Sequence, residues 1–301
     1  MHSHVSSQRA LTIVLALNTL TFLVELGAGW WTNSLALWSD AGHMLGDVGA
    51  IALSLAAARL AARPPSPEKT WGWHRGEILA ALVNGVTLVV IAALVAMEGV
   101  RRLGAPPAVS GTTVAVVAFA GLAVNLVSVA VLARGAGQDL NRRGAYLHAM
   151  SDVLGSLGAL AAGIAMAQFG WWLADPLASL FIALLVFVAG IRHLRDTVHV
   201  LMEGAPATIQ VGRLRAAMEG AEGVRAVHDL HVWSVTSRFA VLSAHVVTAP
   251  ETTLADAQAV LARLRELLAR DFAIKHATLQ VEPEERVCDP CDVPLEKSGI
   301  D

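Results

Sequence analysis

Six stretches of this chain are each long and apolar enough to form a membrane-spanning helix. A hydrocarbon core about 30 Å thick needs about 20 consecutive residues of helix. Turn-forming residues separate the stretches, and tryptophans lie near several of their ends, as is typical of helices anchored at a membrane interface. The pattern predicts an N-terminal segment at 1–10 and an all-α transmembrane domain of six helices at 11–200. The stretches are 11–31, 35–58, 78–100, 112–133, 145–169 and 176–198.

The composition supports a membrane protein. Of the 301 residues, 55% are hydrophobic and only 16% are charged, whereas about 25% are charged in ordinary soluble domains. Residues 1–200 are nearly neutral, the remainder is acidic, and no run of Lys and Arg alternates with aromatic side chains. We therefore expect a lipid bilayer, and not a nucleic acid, as the large partner.

The distribution of positive charge predicts the orientation. On the opposite side from the N-terminus, the loops between the predicted helices carry only Arg101 and Arg102, whereas the N-terminal side carries ten Lys and Arg residues. Loops rich in Lys and Arg stay in the cytoplasm. The sequence thus predicts a multi-pass protein of the plasma (cell inner) membrane with cytoplasmic N- and C-termini.

A second domain follows the apolar region. Beyond Pro206 the pattern changes to short amphipathic and alternating segments. Their order, αββαβ, predicts a small ferredoxin-like α+β domain at 205–283, followed by an acidic cytoplasmic tail at 284–301. The expected elements are a helix at 208–221, strands at 226–236 and 239–248, a helix at 253–271 and a strand at 275–282.

The same His-x-x-x-Asp phrase occurs in two predicted spans, as His43 with Asp47 and as His148 with Asp152. A spacing of four residues puts both side chains on one face of a helix. A hydrogen bond between helices would explain a single pair, but two copies favour a metal site. If the faces meet, two imidazoles and two carboxylates form a tetrahedral set that suits zinc. Four protein ligands leave no position for a catalytic water, which disfavours a metalloenzyme.

Other polar residues lie within the predicted spans. Asp40 is one turn before His43 and either receives the arriving ion, orients a ligand or serves as a hydrogen-bonding group of the helix. Four more are expected to hydrogen-bond neighbouring helices and have no predicted role in the site: Asn18, Glu25, Asn84 and Asn125.

The cytoplasmic part holds further candidate metal ligands. Strand alternation puts His245 and Glu282 on polar faces that can share a metal. Cys288 and Cys291 form a Cys-x-x-Cys pair, which is half of a zinc site.

Two histidines near the N-terminus, His2 and His4, are candidates for the other half of that tail site, since both chain ends are expected in the cytoplasm. A redox-active thiol pair and an unliganded tail are the alternatives.

Four segments together resemble the cation diffusion facilitator family, and most closely its zinc-efflux branch of bacterial zinc/cadmium exporters and vesicular zinc transporters. They are Ser39–Asp47 (SDAGHMLGD), Trp71–Glu77 (WGWHRGE), His148–Asp152 (HAMSD) and His228–Trp233 (HDLHVW). The resemblance implies a homodimeric secondary transporter, not an enzyme, that exchanges cytoplasmic Zn²⁺ for H⁺. Cd²⁺ is a second candidate cargo, with a Cd²⁺/Co²⁺-preferring exporter and a membrane metal sensor as alternatives.

The resemblance also assigns residues. It implies a transport site at His43, Asp47, His148 and Asp152, and a loop ligand or receiving group at His74. For a regulatory zinc site in the cytoplasmic domain it implies a set of three: His228, His245 and Glu282.

Overall fold

The structure is a computed structural model that describes residues 2–133, 140–237 and 239–284. Inside its helices it describes the backbone alone at 2–15, 50, 51, 54, 58, 131, 132, 140–145, 147 and 148. The N-terminal two thirds form long helices: α1 (His2–Thr32), α2 (Leu35–Ala61), α3 (Gly76–Gly104), α4 (Gly111–Ala133), α5 (Leu140–Phe169) and α6 (Ala174–Leu201). The remainder forms α7 (Val211–Glu219), β1 (Ala226–Thr236), β2 (Phe239–Thr248), α8 (Leu254–Asp271) and β3 (His276–Pro283).

The chain divides into two compact units. The first comprises Met1–Ala56 and Ala80–Arg195, and the second comprises Ala57–Leu79 and Asp196–Asp301. The second unit therefore includes the end of α2, the following loop and the first turn of α3, in addition to the C-terminal elements.

Four helical segments of the described residues are long and apolar enough to cross a membrane: Gly76–Gly104, Gly111–Ala130, Ala149–Phe169 and Ala174–Leu201. This agrees with the predicted helical transmembrane domain. Because α1 and α2 are not among the four, the count of six spans stays a prediction.

The first unit depends on close contact between α4 and α5. A Cβ atom on Gly163 of α5 would lie 2.5 Å from the backbone nitrogen of Ala115 on α4. Only glycine permits that approach, which is typical of helix packing in membranes. The core beside this contact is made largely of small side chains such as Ala118, Ala159 and Ala162, all almost fully buried.

The start of α2 is fixed by a residue from a distant helix. The carboxylate of Asp175, in the first turn of α6, accepts hydrogen bonds from the backbone amides of Leu35 (2.8 Å) and Ala36 (3.2 Å) and from the hydroxyl of Ser34 (2.5 Å). The first amides of a helix have no partner within the helix. A buried carboxylate that binds them therefore anchors α2, the helix that carries Asp40, His43 and Asp47.

The C-terminal elements form an α+β fold around one three-stranded sheet of order β1-β2-β3. Strands β1 and β2 are antiparallel, whereas β2 and β3 are parallel and joined through α8. Leu214 and Met218 of α7, Leu264 and Leu268 of α8, and Leu242 of β2 are fully buried in its core. The element order α7-β1-β2-α8-β3 is the predicted αββαβ, and its bounds agree with the sequence within a few residues.

The loop between α2 and α3 contacts this α+β fold within the second unit. The ring of Trp71 lies 4.8 Å from that of His276 and 5.6 Å from that of Phe239, both edge-on. Ser237 donates a hydrogen bond to Glu77 in the first turn of α3.

Candidate metal sites

The first candidate site is built by α2 and α5. The Nε2 atom of His43 lies 3.0 Å from Oδ1 of Asp152. One ligand atom from each of His43, Asp47 and Asp152 lies within 4.8 Å of the others. The spacing of four residues on α2 thus has the predicted effect, since His43 and Asp47 face the same point. His148 lies one helical turn before Asp152 on α5, and its side chain is outside the described part of the chain.

The chemistry of this cluster suits a divalent cation. The side chains of His43 and Asp152 are only 13% and 12% exposed. Two carboxylates this close repel one another in a low-dielectric interior, and a cation between them removes that cost. Imidazole nitrogen with carboxylate oxygen is a ligand set that zinc accepts.

Asp40 lies beside this cluster and is held by its own hydrogen bonds. It is 3% exposed, and its Oδ2 accepts a hydrogen bond from Ser156 of α5 (3.4 Å). Ser156 in turn accepts one from the amide of Asn125 on α4 (3.0 Å). Asn125 therefore bonds a neighbouring helix, as predicted. The network ties α2, α4 and α5 together next to the candidate ligands.

Glu25 does not behave as the sequence predicts. Its carboxylate is buried, yet neither oxygen has a hydrogen-bond partner among the described residues. Within the part of the chain that the structure describes, the expected hydrogen bond to a neighbouring helix is therefore not found for this residue. The pattern of polar residues within spans identifies Glu25, but only the packing reveals its surroundings.

The second candidate site lies on the sheet of the C-terminal fold. The carboxylate of Glu282 on β3 is 3.1 Å from Nε2 of His228 on β1 and 3.0 Å from Nδ1 of His245 on β2. His228 and His245 are paired directly across β1 and β2, with their rings 5.1 Å apart. Ligand atoms of all three residues lie within 4.8 Å of one another. The structure thus brings together the three side chains that the resemblance implies.

Asp229 is a further candidate at this site that the sequence analysis missed. It has a φ of 47°, in the left-handed region, where the register of β1 against β2 shifts between His228 and His231. This bulge breaks strand alternation. As a result, the Asp229 carboxylate lies 3.6 Å from Nε2 of His245 and 2.9 Å from Nε2 of His231. The acidic neighbour inside the HDLH segment is the only signal that the sequence offered.

The other predicted ligands do not join these clusters within the described residues. The ring of His74 lies 6.0 Å from that of Phe239 in the second unit, and His74 belongs to neither group of convergent ligands. His2 and His4 are described by backbone alone, and Cys288 and Cys291 lie outside the described residues. Their ligand roles stay predictions.

Two family models together match most of the chain. The cation efflux transmembrane domain matches residues 11–202, and the cytoplasmic domain of cation efflux proteins matches residues 206–284. This chain belongs to the cation diffusion facilitator family. The family predicted from the motifs is thereby confirmed, and the chain is a multi-pass membrane protein with a C-terminal α+β domain.

Named relatives in the family match this chain over nearly its whole length. A cadmium, cobalt and zinc/H⁺-K⁺ antiporter of Bacillus velezensis is 41% identical, over 93% of this chain and 91% of the relative. The metal cation efflux system protein CzcD of Cupriavidus metallidurans is 39% identical, over 93% and 89%. The zinc transporter ZitB of Escherichia coli is 37% identical, over 97% and 94%.

A solved structure, the metal-bound C-terminal domain of the CzcD transporter from Cupriavidus metallidurans, is also similar to part of this chain. It is 35% identical, with a TM-score of 0.23, and covers 25% of this chain and 99% of the solved domain.

Proposed function

We propose that this protein is a divalent metal cation efflux transporter that moves Zn²⁺ out of the cytoplasm in exchange for H⁺. The observation that carries the proposal is the convergence of His43, Asp47 and Asp152 inside the helical unit. His148 on α5 is the fourth ligand of a tetrahedral His2Asp2 site. Zinc is the cargo of this site, and the four side chains replace its water shell during passage.

Competition between protons and metal explains the exchange. Zinc needs neutral imidazoles and ionised carboxylates, and free histidine titrates at about pH 6.5. Protons on the far side of the membrane therefore displace zinc from His43 and His148. The buried hydrogen-bond network from Asp40 to Ser156 and Asn125 keeps α2, α4 and α5 in register around the ligands. Alternating access then requires the helices to expose this one site to each side in turn.

The proposed membrane topology has six spans, α1 to α6, with both termini in the cytoplasm. The excess of Lys and Arg in the loops on the N-terminal side supports this orientation. The C-terminal α+β fold is a cytoplasmic ferredoxin-like domain, and the protein works as a homodimer. The match of residues 206–284 to the cytoplasmic domain of cation efflux proteins supports the cytoplasmic location of this domain and the homodimer.

The cytoplasmic domain carries a regulatory metal site at His228, His245 and Glu282, with Asp229 as an additional ligand. The burial of Glu282, which is 5% exposed, favours a bound cation over a solvated carboxylate. His74 is a loop ligand or a receiving group for the arriving ion, and Cys288 and Cys291 with His2 and His4 form a tail zinc site.

A second candidate function is export with a preference for Cd²⁺ or Co²⁺ over Zn²⁺. The relative from Bacillus velezensis, named for cadmium, cobalt and zinc, favours it. A membrane metal sensor is a third class, since it would bind metal in the cytoplasmic domain without transport.

Flux measurements in proteoliposomes test these functions. We expect purified protein to drive Zn²⁺ movement when a pH gradient is imposed, with opposite H⁺ movement reported by a trapped pH dye. Competition among Zn²⁺, Cd²⁺ and Co²⁺ ranks the cargo. Metal binding without flux would identify a sensor and overturn the transport proposal.

A further inference from the structure

A buried acid in α1 belongs to neither group of convergent metal ligands among the described residues. Glu25 is 1% exposed, and within the described residues neither of its carboxylate oxygens accepts or donates a hydrogen bond. An ionised carboxylate in such a place is costly, because nothing replaces the water that it has lost. Ionisable residues in membrane-spanning helices that carry this cost are commonly functional.

The chain makes room for this carboxyl group. A Cβ atom on Gly121 of α4, the helix against which α1 packs, would lie only 2.4 Å from Oε1 of Glu25. A side chain at position 121 would push the carboxyl group aside from the place that it now fills. Thr21, one turn earlier on α1, donates its hydroxyl to the backbone oxygen of Leu17 (3.0 Å), and its methyl group lies near Gly121.

The elements around Glu25 lead to the first candidate metal cluster. Gly121 lies one turn before Asn125 of α4, whose amide bonds Ser156, and Ser156 in turn bonds the carboxylate of Asp40. The titratable groups described there are Asp40, His43, Asp47 and Asp152. Helix α4 has no ionisable residue between 111 and 133, and those of α3 lie towards its ends, where Glu98 pairs with Arg101 and Arg102. A buried carboxyl group with no hydrogen-bond donor among the described residues is more stable neutral than ionised, so burial favours a proton on Glu25 as long as no cation occupies the neighbouring cluster.

A proton fits this position better than a metal ion does. Hard cations require several oxygen ligands at short range, and the Thr21 hydroxyl is already bonded to the backbone. A single carboxyl group is sufficient to hold a proton.

We infer that Glu25 is a proton-binding residue of the transport cycle, separate from the metal ligands; the inference rests on the proposed Zn²⁺/H⁺ exchange. The Glu25 carboxyl holds a proton while the cluster of His43, Asp47 and Asp152 is free of metal. When Zn²⁺ binds there, its two positive charges stabilise the ionised carboxylate, and the proton leaves to water. After zinc departs, Glu25 takes up a proton from the opposite side.

Proton release on zinc binding provides the decisive test. The full chain in detergent is titrated with ZnCl2 by calorimetry at one pH in two buffers of different ionisation enthalpy, in potassium-free solution. We expect Glu25→Gln, which mimics the protonated carboxyl, to release about one proton fewer per chain at zinc saturation than the parent protein. Glu98→Gln is the matched control and should release the parental number. Equal release from Glu25→Gln and the parent would overturn the inference.

Two more variants separate titration from packing. Glu25→Asp keeps an ionisable group and should retain proton release, whereas Gly121→Ala should disturb it, because its Cβ atom competes for the space of the carboxyl group. If Glu25→Gln does not fold, Glu25→Ala takes its place: one proton fewer per chain than the parent supports the inference, and parental release overturns it. Parental proteoliposomes are assayed in parallel. If they exchange no zinc for protons, the proposed function fails and the inference with it; if they do, unchanged release by Glu25→Gln rejects the Glu25 role alone.

Discussion

His43 and Asp152 are 109 residues apart in the chain, yet their side chains meet at 3.0 Å between Nε2 and Oδ1. Each belongs to one copy of the His-x-x-x-Asp phrase, so the contact joins the two copies. Asp47 lies in the same cluster. Each of these three side chains is expected to contact the transported ion.

Loss of either carboxylate should abolish zinc flux. Asp47→Ala and Asp152→Ala each remove one of four proposed ligands and leave an incomplete site, while the helices stay packed. Zinc uptake by proteoliposomes measures the effect, and size-exclusion chromatography checks that the protein is still assembled. Asp196→Ala, an exposed aspartate of α6 outside both clusters, is the control. Parental flux from either ligand variant would refute the site.

The choice of histidine should determine the metal preference. His43→Asp exchanges an imidazole nitrogen for a harder carboxylate oxygen and adds negative charge. Imidazole suits zinc, whereas carboxylates suit manganese. We expect the variant to lose zinc preference when Zn²⁺, Cd²⁺ and Mn²⁺ compete for uptake. An active variant with an unchanged ranking would mean that His43 does not contact the ion.

In the cytoplasmic site, the β1 bulge that positions Asp229 should increase the affinity for zinc. Glu282→Ala should abolish its zinc binding, and Asp229→Ala should weaken it by about tenfold. His231→Ala, which removes a largely exposed neighbour of Asp229, should have little effect. Equilibrium dialysis of the full chain in an Asp47→Ala, Cys288→Ser, Cys291→Ser background excludes the transport and tail sites from the measurement. Parental affinity in Asp229→Ala would remove Asp229 from the ligand set.

The anchor of α2 should contribute strongly to stability. Asp175→Ala removes the acceptor for two helix amides and the Ser34 hydroxyl, and should lower the free energy of unfolding by ~2 kcal/mol. Tryptophan fluorescence during thermal unfolding in detergent reports the change. Ser110→Ala, at the exposed start of α4, should have a smaller effect. An equal shift in both variants would argue against a special role for Asp175.

The cysteine pair should add to the zinc content without being required for transport. Cys288→Ser combined with Cys291→Ser should reduce the number of zinc ions bound per chain, measured by atomic emission after dialysis, and leave basal flux intact. A double variant with parental zinc content would show that these cysteines are not ligands.

Residues whose roles follow from their position on a regular helix or strand could be predicted from the sequence, whereas residues whose roles depend on tertiary packing could not. His43 with Asp47, and the strand positions of His228, His245 and Glu282, follow from local periodicity or family motifs, because backbone geometry alone decides which residues share a face. The α+β order was predictable for the same reason.

Asp229, Glu25 and Asp175 required the tertiary structure. The role of Asp229 depends on a bulge that breaks alternation, and that of Glu25 on the space above Gly121. Asp175 anchors a helix start about 140 residues away. Such roles depend on which distant segments pack together, and packing is decided by the shapes and charges of whole surfaces. The sequence alone determined the local faces and the family of this protein, and the tertiary structure decided which of its buried charges have partners.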